Sequence, residues 1–314
     1  MDGVRVSAVP DDPVLLFRGA RRSTHQEASP TAAAVVLGMT LRGLRGKITM
    51  MAAAKTINSS VSKVSRLERA ESPPELRDVL ALAASYRVDA ETQAELEHLT
   101  RRAREPEWFQ HHYQDCTPQW LRRLFGLESQ AIDLMAYESS VVSGLLQTEE
   151  YAREVIRTGL HHCDEEEVER RVQMRLERQN RVFGQPEPPR ATFLMDESVL
   201  RRRAGSAQVM AEQMRQLLRL SDLPHVSIRF VLEDSAIAAN AASAGSGSMT
   251  HLKFGAGGPP EMVYLEGYEE ASYRTKEDDL ERHVQLLLRL SAEAAASRAK
   301  SRQMLEEAIK RFSA

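Results

Sequence analysis

Cysteine and long apolar runs are the two things this sequence has least of. Cys116 and Cys163 are its only cysteines, too few for a disulfide framework and consistent with reduced thiols. No stretch approaches the roughly 20 apolar residues of a membrane-spanning helix. The first thirty residues lack the basic-then-apolar layout of a signal peptide, "PVLLF" being too short. A cytoplasmic protein without membrane contact is the expectation. Catalytic signatures are missing as well. "SAGSGSM" fits neither Gly-x-Ser-x-Gly nor phosphate-loop spacing. "HHYQDC" and "HHCDEEE" pair histidines with a cysteine, yet they show no four-ligand spacing of their own. No catalytic residue, metal or cofactor is expected.

What is present is an uneven distribution of charge. The net charge is −3, but residues 31–88 hold nine Lys/Arg against four Asp/Glu, and residues 1–30 hold four of each sign. The remainder carries about −8. A small basic module on a larger acidic body implies that only the module meets a polyanion.

Residues 1–30 read as a disordered arm, rich in Asp, Pro, Ser and Arg and without periodicity. Residues 31–104 read as short helices punctuated by Gly43, Gly46, Asn58 and Pro73-Pro74. Residues 105–314 read as an α+β body: a mostly helical stretch to about residue 160, a charged helix, then "RATFLMDE", "HVSIRFVLED", "SMTHLKFG" and "EMVYLEGY" as strands of a small, mostly antiparallel sheet. The fold class expected is an all-α helix-turn-helix bundle followed by this larger domain. The Leu/Met-rich helices "MAEQMRQLLRL" and "VQLLLRL" are candidates for a dimer interface.

In "KTINSSVSKVSRLERAESPPE", Ser60 is placed to cap a helix reaching about Arg69, with Val64 and Leu67 on one face. Ser62, Ser65, Arg66 and Arg69 then fall opposite, with Lys63 at the flank. Short hydroxyls permit close approach, and guanidiniums reach phosphates or base edges. Upstream, Thr49 caps another short helix, and Asn58 suits the left-handed turn between the two. Thr49, Ser60, Ser62, Lys63, Ser65, Arg66 and Arg69 are the candidate DNA contacts. "PPELRDVLALAASYRV" adds a following helix with Leu76, Val79, Leu80 and Ala83 on its inner face.

These segments resemble the repressor/Cro-type helix-turn-helix of the xenobiotic-response-element class. Met50 stands where that class usually has a polar phosphate contact, and Ser59 where it has an apolar residue. A second pattern, "YESSVVSGLLQTEEYA", resembles the C-terminal domain of unassigned function found in helix-turn-helix regulators of filamentous sporulating bacteria. Tyr137, Glu138, Gly144, Leu145, Leu146, Gln147, Thr148, Tyr151 and Ala152 match, while Ser139 and Ser143 replace prolines. "RLERQ", "MDESVLRR" and "MVYLEGY" match as well. The resemblance implies an antitoxin-like regulator binding double-stranded DNA at the nucleoid, often encoded beside a small partner protein; a homodimer is expected because one short helix reads too few bases for useful specificity. A chain that chiefly sequesters that partner is the alternative. Trp108, Phe109, Tyr113 and Trp120 read as an aromatic cluster, serving either as core or as a pocket shared with "SGLLQT". Gln147 reads as a structural hydrogen-bonding residue or a ligand contact. Trp108, Tyr113, Trp120, Tyr137, Gly144, Gln147 and Tyr151 are the candidate partner or ligand residues.

Overall fold

The computed structural model describes residues 28–160, 163–237, 248–267 and 270–314. Most of the expected arm, including Arg18, Arg21 and Arg22, lies outside these residues, as do His161, His162 and the core of the small-residue loop. The first helix begins at the end of that arm. Ser29 caps α1 (Pro30–Arg45) by accepting from Ala32 N, and Pro30 supplies a preset φ in the first turn.

Four more helices follow: α2 (Met50–Thr56), α3 (Val61–Glu68), α4 (Leu76–Tyr86) and α5 (Ala90–Arg102). Thr49, Ser60 and Asp89 cap α2, α3 and α5 through their side chains. Asn58 holds φ at 47° between α2 and α3, the left-handed conformation the tight turn requires. Leu37, Leu41, Ala53, Val64, Val79 and Leu82 fill the core of this bundle. On α4 it is Leu82, not Leu80, that is fully buried. Gly38 lets α1 touch the end of α3: a Cβ there would lie 2.6 Å from the Glu68 carbonyl oxygen.

The body begins with α6 (Trp108–His112), α7 (Gln119–Glu128) and strand β1 (Ala131–Glu138). β1 corrects the mostly helical expectation for residues 105–160. "AIDLMAYE" lacks the β-branched signature of a strand, but it sits in mid-sheet, where neighbours on both sides and both faces override propensity. After a 3-10 turn (Gly144–Leu146) come α8 (Glu149–Gly159), α9 (Glu165–Phe183), β2 (Arg190–Asp196), α10 (Ala207–Leu220) and β3 (Val226–Val231). Then follow β4 (Ser248–Phe254), β5 (Met262–Glu266), β6 (Ala271–Arg274), α11 (Glu277–Arg289) and α12 (Arg298–Ser313). The order across the sheet is β3-β2-β1-β4-β5-β6. β1, β2 and β3 pair in parallel, and the other pairs are antiparallel. The sheet is therefore mixed and mostly antiparallel, as expected.

Period-2 alternation divides the strands between two helical layers. Leu134, Ala136, Phe193, Ile228 and Tyr264 face a core shared with α7, α9, α10 and α12. Met135, Tyr137, Leu194, Met249 and Val263 face α11 and the turn after it. Both helices proposed for dimerisation thus spend their apolar faces inside the chain. Met210, Met214 and Leu217 of α10 are buried in the first core, Leu287 of α11 in the second. Of that stretch, Leu288 is left exposed.

The helical bundle and the body are not separate. Ala33 and Leu37 of α1 face the bundle core, whereas Ala32 and Val35 belong to the core of the body. Thr31 donates from its N and its Oγ1 to the buried Glu107 carboxylate (2.8 and 2.5 Å), and Ser29 Oγ donates to the Gly126 carbonyl. No helix among the described residues is long and apolar enough to cross a membrane.

Candidate nucleic-acid interface and the body cleft

The outer face of α3 follows from its caps and its two anchors. Burial of Val64 and Leu67 turns Ser62 and Arg66 outward, exposed, with Ser65 half-buried beside them. The Arg66 side chain has no hydrogen bond or ion pair among the described residues. Arg42, Lys47 and Lys55 of the bundle are likewise exposed and without side-chain partners among the described residues. Unpaired cations on a helix bundle are what a phosphate backbone attracts. Ser60 and Thr49 serve as caps; their hydroxyls accept from Lys63 N and Ala52 N at 3.2 Å.

Lys63 and Arg69 are committed within the chain. Lys63 Nζ pairs with Asp78 at 2.6 Å and Glu75 at 2.9 Å, joining α3 to the start of α4. Those two carboxylates hold its pKa above the ordinary lysine value. Arg69 pairs with the neighbouring Glu71 at 2.8 Å. Both charges are already balanced, so Arg66 is the strongest candidate reader on this face. Met51 on α2 is 74% exposed, and Val61 opens α3 with an exposed apolar side chain.

Trp108, Phe109 and Tyr113 pack as core, the first of the two readings, and not as a pocket. Trp108 makes edge contacts with Phe109 and Tyr113 and stacks on Phe125, with ring centroids 5.5–6.1 Å apart. Trp120 is not in this cluster. It sits five positions from Phe125 on α7, about 140° round the helix, so the two rings cannot share a face. Arg181 lies over the Trp108 ring at 5.0 Å, closing the cluster as packing.

"SGLLQT" instead borders a cleft of about 560 Å³, with none of Trp108, Tyr113 or Trp120 in its wall. Three buried glutamines fix this turn. Gln147 Nε2 donates to the Val142 carbonyl at 2.6 Å; Gln179 Nε2 donates to the Gly144 and Gln147 carbonyls at 2.8 and 3.0 Å. Gln213 accepts from Thr148 N at 2.8 Å and donates to the Leu146 carbonyl at 3.0 Å. Tyr151 is buried, its hydroxyl accepting from Val142 N at 3.3 Å, and Tyr137 faces the opposite side of the sheet. Neither reaches the cleft. Gly144 does, and a Cβ on it would approach Arg178 Nη1 to 3.4 Å.

Sheet register sets the cleft floor. Glu138, Ser248 and Glu266 form one row across β1, β4 and β5, and Ala136, Thr250 and Tyr264 form the next. Arg175 and Arg178 on α9 face these rows. Arg178 is spent on the buried Glu128, donating from Nε and Nη2 at 2.5 and 2.8 Å. Arg175 donates to Gln147 Oε1 at 2.5 Å and has no carboxylate within ion-pair distance among the described residues. Burial lowers its pKa to about 10. Burial pushes Glu138 up to about 8, with the charge of Glu266 adding to the shift. The Tyr264 hydroxyl is buried beside the Glu266 carboxyl; burial and that carboxyl raise its pKa, and it makes no well-formed hydrogen bond.

Helix α7 touches both regions. Leu121 and Leu124 line the cleft, while Arg123 Nη1 donates to the Arg69 carbonyl at the end of α3 at 3.3 Å. Among the described residues no cluster of three His, Cys, Asp or Glu is arranged to hold a metal. Cys116 packs beside Phe109 and Phe125, Cys163 beside Ile156 and Val168.

A capped, turn-linked helix pair with an outward reading face, set on a mixed α+β body, defines a helix-turn-helix protein. Residues 36–99 match the family model described as a helix-turn-helix domain, and residues 121–307 match the one described as a domain of unknown function, DUF5753. The second match spans more than half of the chain, which therefore belongs to that DUF5753 family. No curated protein and no solved structure matches the chain.

Proposed function

We propose that this chain is a sequence-specific transcriptional regulator that binds double-stranded DNA through α3. The exposed, unpaired Arg66 on the same face as Ser62 and Ser65 carries this reading. A guanidinium of that reach, flanked by short hydroxyls, fits the major groove and bidentate contact with guanine. The protein acts in the cytoplasm, at the nucleoid, as a homodimer, because one eight-residue helix reads too few bases for useful specificity. Its work is binding rather than catalysis. The body senses a ligand or a small partner protein encoded nearby, and α7 is the element able to carry that signal, since it borders both the cleft and the end of α3.

The antitoxin-like alternative, sequestration of a partner with DNA binding secondary, is favoured by one observation. Met50 stands where that class usually has a phosphate contact, and Met51 and Val61 add exposed apolar surface to the bundle. Incubating the purified chain with DNA from upstream of its own gene separates the two readings. The regulator shifts that DNA without help and releases it as salt rises; a chain that shifts no DNA, or shifts it only with a co-purified protein, belongs to the alternative.

A further inference from the structure

The cleft holds a guanidinium and two carboxyl groups that do not pair with one another. Arg175 on its roof meets only the neutral Gln147. Glu138 and Glu266 on its floor form no ion pair among the described residues, and they stand two strands apart with Ser248 between them. Two strand spacings amount to roughly 10 Å. A half-buried guanidinium and half-buried carboxyl groups in one cleft ordinarily pair, because an unpaired buried charge loses hydration without compensation. Here Gln147 anchors the arginine, and the sheet register fixes the glutamates.

Two further observations point to an occupant. The Tyr264 hydroxyl, in a fully buried side chain on the cleft floor, stands beside the Glu266 carboxyl but makes no well-formed hydrogen bond, and buried hydroxyls so poorly satisfied are uncommon in native structures. Between the charged walls the lining is aliphatic: Leu121, Leu124, Leu134, Val142, Leu145 and Val155. The volume, about 560 Å³, lies within the range of small-molecule sites.

We propose that this cleft binds a small zwitterion with an apolar body, of the class of hydrophobic α-amino acids. Its carboxylate takes the free donors of Arg175. Its ammonium sits over the row of Glu138 and Glu266, and its side chain packs on the aliphatic lining, with the Tyr264 hydroxyl completing the polar contacts. The assignment deepens the sensing role proposed for the body and rests on it for its regulatory meaning.

The test uses the full chain, with L-leucine, L-phenylalanine and L-tryptophan as probes. 4-Methylpentanoate and 3-methylbutylamine are controls that each keep one charged group of leucine. Melting curves and calorimetry are expected to show binding by at least one amino acid and none by the controls. Arg175→Gln is expected to weaken that binding about tenfold or more, the loss of one charge-assisted contact. In case Arg175→Gln fails to fold, Tyr264→Phe is the second variant. It removes a buried hydroxyl that has no well-formed hydrogen bond, so it melts no lower than the parent without ligand yet binds the amino acid several-fold more weakly. Binding by none of the three amino acids, equal binding by a single-charge control, or undiminished binding by Tyr264→Phe overturns the assignment. DNA affinity measured with and without the bound amino acid then tests the sensing role separately. An unchanged DNA affinity beside proven binding refutes that role and leaves the cleft assignment standing.

Discussion

Asn58 shows how much a single residue decides in the bundle. Its φ of 47° joins α2 to α3, and an L-residue with a branched Cβ is disfavoured there by about 1–2 kcal/mol. Asn58→Gly is expected to leave the melting temperature level or slightly raised, and Asn58→Val to lower it by several degrees. Equal melting of the two variants would place the turn elsewhere. Glu138 makes a residue-scale statement about pH. Its folded pKa of about 8 exceeds the ordinary 4.5, so between those values the folded chain holds a proton that the unfolded chain has released. This contribution to stability is therefore lost as pH rises through about 8. Glu266 works in the same direction as burial, while Arg175, Arg178 and Ser248 oppose it. Glu138→Gln should raise the melting temperature more at pH 8.5 than at pH 5.5. A gain independent of pH contradicts the burial of an unpaired carboxyl.

Elements differ in how far the sequence announces them. The bundle was legible because its information is local: Thr49 and Ser60 lie next to the helices they cap, and Val64 and Leu67 sit three apart. Four strands were legible from runs such as "VSIRFV". β1 and β6 were not: β1 draws its stability from β2 and β4, and β6 has only the four residues of Ala271–Arg274. The cleft was half legible. "YESS", "RLERQ" and "MVYLEGY" contain Glu138, Arg175, Arg178, Tyr264 and Glu266, but only the fold brings those segments together. Trp120 misled because chain proximity to Trp108 suggested contact, whereas it is Phe125, on another face of α7, that stacks on Trp108. Lys63 shows the same limit, since its partner Asp78 lies fifteen residues on. It links two elements instead of serving as a free phosphate contact, so Lys63→Met should lower the melting temperature and change the salt slope of DNA binding little. A slope reduced by about one unit with unchanged stability would return Lys63 to the phosphate-contact role.

For the whole molecule, the shared helix α1 matters most. A break at residues 104–105 divides the composition well, yet Ala32 and Val35 plug the core of the body and Thr31 is bound to Glu107. Residues 105–314 expressed alone should melt below the full chain and bind an apolar dye, because they expose the seat of α1. Equal melting without dye binding would show a cosmetic contact. The same junction places α7 between the cleft and α3. The DNA-binding unit is thus mechanically part of the body.

The central claim is that α3 reads DNA through Arg66. Selection of bound sequences from a random double-stranded library, by the full chain and by Arg66→Ala, tests it most directly. The parent chain should select a two-fold symmetric motif. In the variant, preference at one symmetric position in each half-site should relax, with a loss of about 1–3 kcal/mol for the selected site. Enrichment of no motif, or the same motif with the same affinity from both proteins, would contradict it.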